Sequence, residues 1–150
     1  MGDNVLKICV SSQNKPLFAA ISARLVGKAL VTDNHSLNCN ILVASQNTRY
    51  DAVCDVCLID SSHIPHMRGK GKILLPDSCG MGEKDTVTFS SIDGERAVLC
   101  IQRDIKIKNT LLECGEYPTN YDNNLSVWHN LVLCFCTAMT NALPDCFCRG

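Results

Sequence analysis

Short unbroken apolar runs alternate with polar, turn-rich links along this chain, and that rhythm predicts an α/β fold. Val5-Leu6-Lys7-Ile8-Cys9-Val10 is a β-branched run that reads as a buried strand. Ser11 to Asn14 close it and Pro16 opens a helix. Asn14 serves as N-cap, and proline is accepted in the first turn because its missing N–H has no intrahelical partner. Phe18, Ile21, Leu25, Val26 and Ala29 recur at helical spacing, predicting a helix over about 15–30 with one face on a sheet. Asn38 to Val43 is a second strand. Ala52 to Ile59 is a third, apolar on nearly every position as a strand buried on both faces requires. Lys72 to Leu75 is a fourth, ending in Pro76-Asp77-Ser78-Cys79-Gly80.

The second half changes character. Thr86-Val87-Thr88-Phe89 and Ala97 to Ile101 flank Asp93-Gly94, the strongest short signal for a hairpin, here over about 85–102. Thr110 to Cys114 reads as another strand and Gly115 to Asn124 as turns. A last helix follows over about 125–143, capped by Asn123 or Asn124. Its polar face carries His129, Asn130, Thr137 and Asn141, and a tail, 144–150, follows it. Together these elements predict one domain, 1–150: a Rossmann-like or flavodoxin-like open, mainly parallel sheet with an antiparallel hairpin and packed helices.

Composition bears on compartment and partners. With 150 residues, 46% hydrophobic and 19% charged, the chain can build one core. A formal charge of −1 argues against the concentrated basic surface that nucleic acid or an anionic membrane requires. Arg68-Gly69-Lys70-Gly71-Lys72 reads as a solvated loop. The start carries Asp3 and Lys7, unlike a secretory leader, and Leu131 to Cys136 is far shorter than the roughly 20 residues of a membrane span. Of eleven cysteines, an odd number, Cys9, Cys54, Cys57, Cys100 and Cys114 lie in runs where Val, Ile or Ala would serve equally well. Free thiols in a reducing cytoplasm are the expectation, with the redox state of Cys146 and Cys148 left open.

Candidate chemistry gathers at strand ends, where open α/β sheets bind ligands. If the strands are parallel neighbours, one rim collects Ser11, Ser12, Asn14 and Lys15 after the first, Asp60, Ser61 and His63 after the third, and Asp77 and Ser78 after the fourth. Hydroxyls, carboxylates, an imidazole and helix N–H groups together fit a small phosphate-containing or nucleotide-like ligand. Ser, Asp and Asn also end strands simply because they make good turns. The second reading is a non-catalytic interaction or regulatory module, with the hairpin edge and last helix meeting a partner or a second copy of the chain. Whether the chain is an enzyme, and whether it takes a cofactor, these residues do not say.

A third reading rests on Cys9-Val10-Ser11-Ser12-Gln13-Asn14-Lys15-Pro16, a strand-end cysteine before a helix. Over Val5 to about Ala20 this segment resembles the phosphate loop of low-molecular-weight tyrosine phosphatases and arsenate reductases. The resemblance implies Cys9 as a thiolate nucleophile beside the helix N-terminus. Lys15 stands where that family has arginine, whose planar fork clamps two phosphate oxygens, and the loop glycine and the Asp-Pro acid are missing. No metal site is expected. Cys54 and Cys57, three apart on one strand, should point to opposite faces although His63 and His66 follow, and Cys134 and Cys136 diverge by about 200° on a helix.

Overall fold

The computed structural model describes residues 5–11, 13–45, 47–63 and 65–143. The first apolar run forms β1 (Leu6–Val10), and Pro16 sits in the first turn of α1 (Lys15–Arg24). The helix stops well short of residue 30. Gly27 adopts φ +77° and turns the chain, and Ala29-Leu30-Val31-Thr32 becomes a strand, β2 (Ala29–Thr32). Apolar spacing alone reads through this point, because Val26 and Ala29 fit a helical face as well as a loop and an edge strand.

The next elements are β3 (Cys39–Ala44), β4 (Asn47–Arg49), β5 (Val53–Asp60), β6 (His66–Arg68) and β7 (Lys72–Cys79). The second half supplies β8 (Val87–Asp93), β9 (Arg96–Ile101), β10 (Ile105–Ile107), β11 (Thr110–Leu112), β12 (Gly115–Asn120) and α2 (Val127–Ala142). The fold is mixed α/β. One eight-stranded sheet runs in the order β12-β9-β8-β7-β5-β3-β1-β2. Neighbours from β2 through β8 are parallel, and β9 and β12 add antiparallel pairs.

Two layers cover this sheet. On one face α1 and α2 bury Leu6, Ile8, Val10, Ile41, Val43, Val56 and Leu58. On the other, Cys9, Leu42, Ala44 and Cys57 pack beneath Tyr50 and Met67, the latter on the small β4–β6 sheet. Chain direction accounts for this division. From β1 to β2 the chain moves one way along the sheet, and from β3 through β5 to β7 it moves the other. Right-handed crossovers therefore place α1 and the β4 and β6 links on opposite faces. Cys54 and Cys57 both belong to the buried cluster that holds Tyr50 and Ala52, contrary to simple alternation.

Three further differences from the sequence reading have local causes. Strand β7 continues through Pro76 to Cys79, so Asp77 and Ser78 are strand residues and not a rim loop. Proline is tolerated because β7 meets β8 only at Cys79, leaving no partner there for an N–H. The hairpin is present, but Asp93 pairs with Arg96 and the turn is Gly94-Glu95, with positive φ at Gly94 alone, the type II′ pattern. Its outer edge is covered by β12, which lies in the stretch read as turns.

Helix α2 is capped by Ser126, whose Oγ accepts from the His129 N–H at 3.1 Å, and not by Asn123 or Asn124. Asn130, expected on a polar face, is 1% exposed. Its Oδ1 accepts from the Asp122 N–H, and its Nδ2 donates to the Asp122, Leu125 and Ser126 carbonyls. The 144–150 tail lies outside the described residues. No helix is long and apolar enough to cross a membrane among those described.

Candidate functional site

Strand order reverses at β1, whose neighbours are β2 on one side and β3 on the other. Chain turns after β1 and β3 diverge to opposite faces there, opening a crevice at their carboxyl ends. A cleft of about 300 Å³ occupies this place, lined by Gln13 and Asn14 before α1, Ala44 and Ser45 ending β3, Asn47, Asp60, His63 and Trp128. Asn14 makes no side-chain cap bond, so the first-turn N–H groups of α1 are not filled by it. Asp60 is oriented from within its own loop: Oδ1 accepts from the Ser62 N–H at 3.0 Å and the Ser62 hydroxyl at 2.6 Å. Burial lowers the pKa of His129, next to Trp128 on α2, against the pull of the Asp60 charge, which raises it.

A second cleft of about 230 Å³ adjoins the first through Gln13 and Asn47. Cys9 and Leu42 line it with Ser11, Asp33, His35, Thr48, Arg49 and Arg68. Asp51 organises one wall. Its Oδ2 receives Arg49 Nε at 2.9 Å and His35 Nδ1 at 2.8 Å, and its Oδ1 accepts the Lys70 N–H. That N–H and the Arg49 guanidinium hold the Asp51 carboxyl below its ordinary range.

Of the residues expected at the rim, the structure brings together Ser11, Asn14, Asp60 and His63. Ser12 lies outside the described residues. Lys15 is exposed at the start of α1 and lines neither cleft. Ser61 turns away, donating from its hydroxyl to Asp85 Oδ2 at 3.2 Å. Ser78 Oγ instead accepts the Thr86 N–H. Asp77 is the clearest departure: it is fully buried, with Oδ1 2.7 Å from Arg103 Nη2.

Cys9 does not meet the needs of a thiolate nucleophile. It is 3% exposed. A hydrogen bond with Cys39, followed by burial, pushes its pKa far up and keeps the thiol protonated. Cys39, Cys54 and Cys57 complete the buried thiol layer. Cys54 is raised in the same way, and burial holds Cys57 at about 12. Cys39 is drawn down, Cys54 first and then Cys9 acting as its hydrogen-bond partners. Among the described residues, no group of three or more His, Cys, Asp or Glu side chains is placed to hold a metal ion.

Sequence reasoning missed Trp128, Asn47, Arg49, Arg68, His35 and Asp33. Trp128 is the sole tryptophan and lies in the first turn of α2, a position that asks what its ring faces. The arginines left no periodic signal, since β4 and β6 have three residues each. A third cavity, about 370 Å³ between α2 and β11–β12, is larger; Leu99, Leu111, Leu112, Pro118, Ala138 and Ala142 form half its lining, beside Tyr117, Thr119, Cys134, Thr137 and Asn141, with Glu113 its one charged residue. No known protein family, curated protein or solved structure matches this chain.

Proposed function

We propose that this chain is a Rossmann-like domain, one unit over 1–150, that binds a small anionic, nucleotide-like ligand in the cleft at the β1/β3 carboxyl ends. The carrying observation is the coincidence of the strand-order reversal with that cleft. In open α/β sheets this is the ligand-binding position. Its walls supply complementary chemistry: an aromatic face from Trp128, hydroxyl-accepting capacity from Asp60, amide groups from Gln13, Asn14 and Asn47, and the first turn of α1. A volume near 300 Å³ falls at the lower end for small-molecule sites. The free thiols filling core positions fit a reducing compartment, so we place the protein in the cytoplasm.

A thermal-shift screen of nucleotides, sugar phosphates and inorganic phosphate tests the reading. A ligand that binds only the folded state raises the melting temperature by mass action. The expected hit is a nucleotide whose shift disappears in Trp128→Ala and Asp60→Asn. Shifts untouched by both substitutions would move the site elsewhere.

A further inference from the structure

The β4–β6 pairing sets Arg49 directly opposite Arg68. Both side chains are exposed, and like charges facing each other across strands oppose the pairing. Asp51 offsets Arg49 through Nε, while Arg68 makes no ion pair among the described residues. Asp33 shares the lining and Asp51 offsets Arg49, so the charge the second cleft can offer an anion rests on Arg68, which no carboxylate pairs among the described residues. Ser11 and Thr48 add hydroxyls to that lining, and Gln13 and Asn47 are shared with the cleft that holds Trp128. A guanidinium presents a planar fork of donors that matches two oxygens of a phosphate.

We infer that the Arg49–Arg68 cleft is the phosphoryl subsite of the ligand, whose ring lies against Trp128 on the far side of Gln13 and Asn47. This rests on the proposed binding at the β1/β3 ends and narrows its ligand class. The molecule carries an aromatic ring, hydroxyls and a terminal phosphate, as a nucleoside monophosphate does. The anion occupies the space between the paired arginines, relieves their repulsion, and draws β4 and β6 together.

The test is calorimetric titration of the full chain with adenosine 5′-monophosphate, adenosine and inorganic phosphate. The variants are the double substitution Arg49→Gln/Arg68→Gln, Trp128→Ala, and Lys72→Gln as a charge control outside the cleft lining. Circular dichroism on each confirms folding. The double variant should lose nucleotide affinity by about tenfold for each guanidinium, the loss typical of a charge-assisted hydrogen bond. It should also lose phosphate binding and keep adenosine binding. Trp128→Ala should weaken the nucleotide and adenosine and leave phosphate alone, and Lys72→Gln should match the parent. Nucleotide binding unchanged in the double variant but lost in Trp128→Ala would overturn the phosphoryl subsite while sparing the ring site. Equal losses from Lys72→Gln would reduce the arginines to general attraction and overturn it too. A parent that binds neither the nucleotide nor phosphate would defeat both proposals.

Discussion

Asp77 offers the sharpest test of the energetics. Its carboxylate is fully buried; Oδ1 is held by Arg103 Nη2 at 2.7 Å, while Oδ2 has no partner among the described residues. Burial raises its pKa, and the Arg103 hydrogen bond and charge pull it down without prevailing. A carboxyl with a raised folded-state pKa stabilises the fold fully below its unfolded pKa. That contribution is lost as pH rises through the folded value. At neutral pH the ionised group should therefore cost stability.

Replacing Asp77 by Leu removes the orphaned oxygen, and Arg103, 53% exposed, returns to water. An unpartnered buried polar atom costs about 1–3 kcal/mol, and one charge-assisted hydrogen bond contributes about 1.5–3 kcal/mol. The two nearly cancel, so Asp77→Leu should lie within about 1 kcal/mol of the parent at pH 7, or be more stable. Arg103→Met leaves the buried carboxylate alone and should cost about 3 kcal/mol, near the low end for a broken buried pair because Asp77 can take up a proton. Urea unfolding at pH 4.5, 6 and 7.5 reads both. The stability of Asp77→Leu relative to the parent should improve as pH rises from 4.5 and level off once Asp77 is ionised in the folded parent. A loss above about 2 kcal/mol at pH 7.5, or a difference that shrinks with pH, would refute the dominance of burial.

Three other outcomes follow from the structure. Asn130→Ala removes four hydrogen bonds that tie the turn before α2, and urea unfolding should show a loss of about 2–4 kcal/mol. Gly71→Ala places a Cβ 2.6 Å from the Tyr50 carbonyl oxygen and 2.7 Å from its ring, so hydrogen exchange should show β6 and the start of β7 opening more readily, with α2 unchanged. Under iodoacetamide, mass spectrometry should find exposed Cys114 labelled before the buried Cys9, Cys39, Cys54, Cys57 and Cys136. Its rate should climb in alkali, since a hydrogen bond to Asp104 raises the Cys114 pKa; Cys9 labelled first would contradict its burial.

Much of this architecture was legible because long apolar strands speak for themselves. The runs behind β1, β3, β5 and β9 lie within a residue or two of their strands, since burial on both faces demands apolar side chains throughout. What escaped were elements held by tertiary context. β4 and β6 are too short for periodicity, β2 hides in a helical-looking pattern, and β12 runs through Pro118 on an edge. The site was half visible for the same reason. Ser11, Asn14, Asp60 and His63 follow strands that could be read, whereas Arg49 and Arg68 sit on strands that could not. Asp77 was misplaced because Pro76 looks like a stop unless one knows that β7 lacks a second neighbour there.

The sole tryptophan makes the central claim directly measurable, because Trp128 lines the proposed cleft and no other indole contributes. Titrating adenosine 5′-monophosphate into the parent while following tryptophan fluorescence should give a saturable change. Asp60→Asn should shift that curve to higher concentration. A flat signal in the parent, with nucleotide binding detected instead by amide shifts around Leu99 and Thr137, would place the ligand in the α2 cavity and contradict the account.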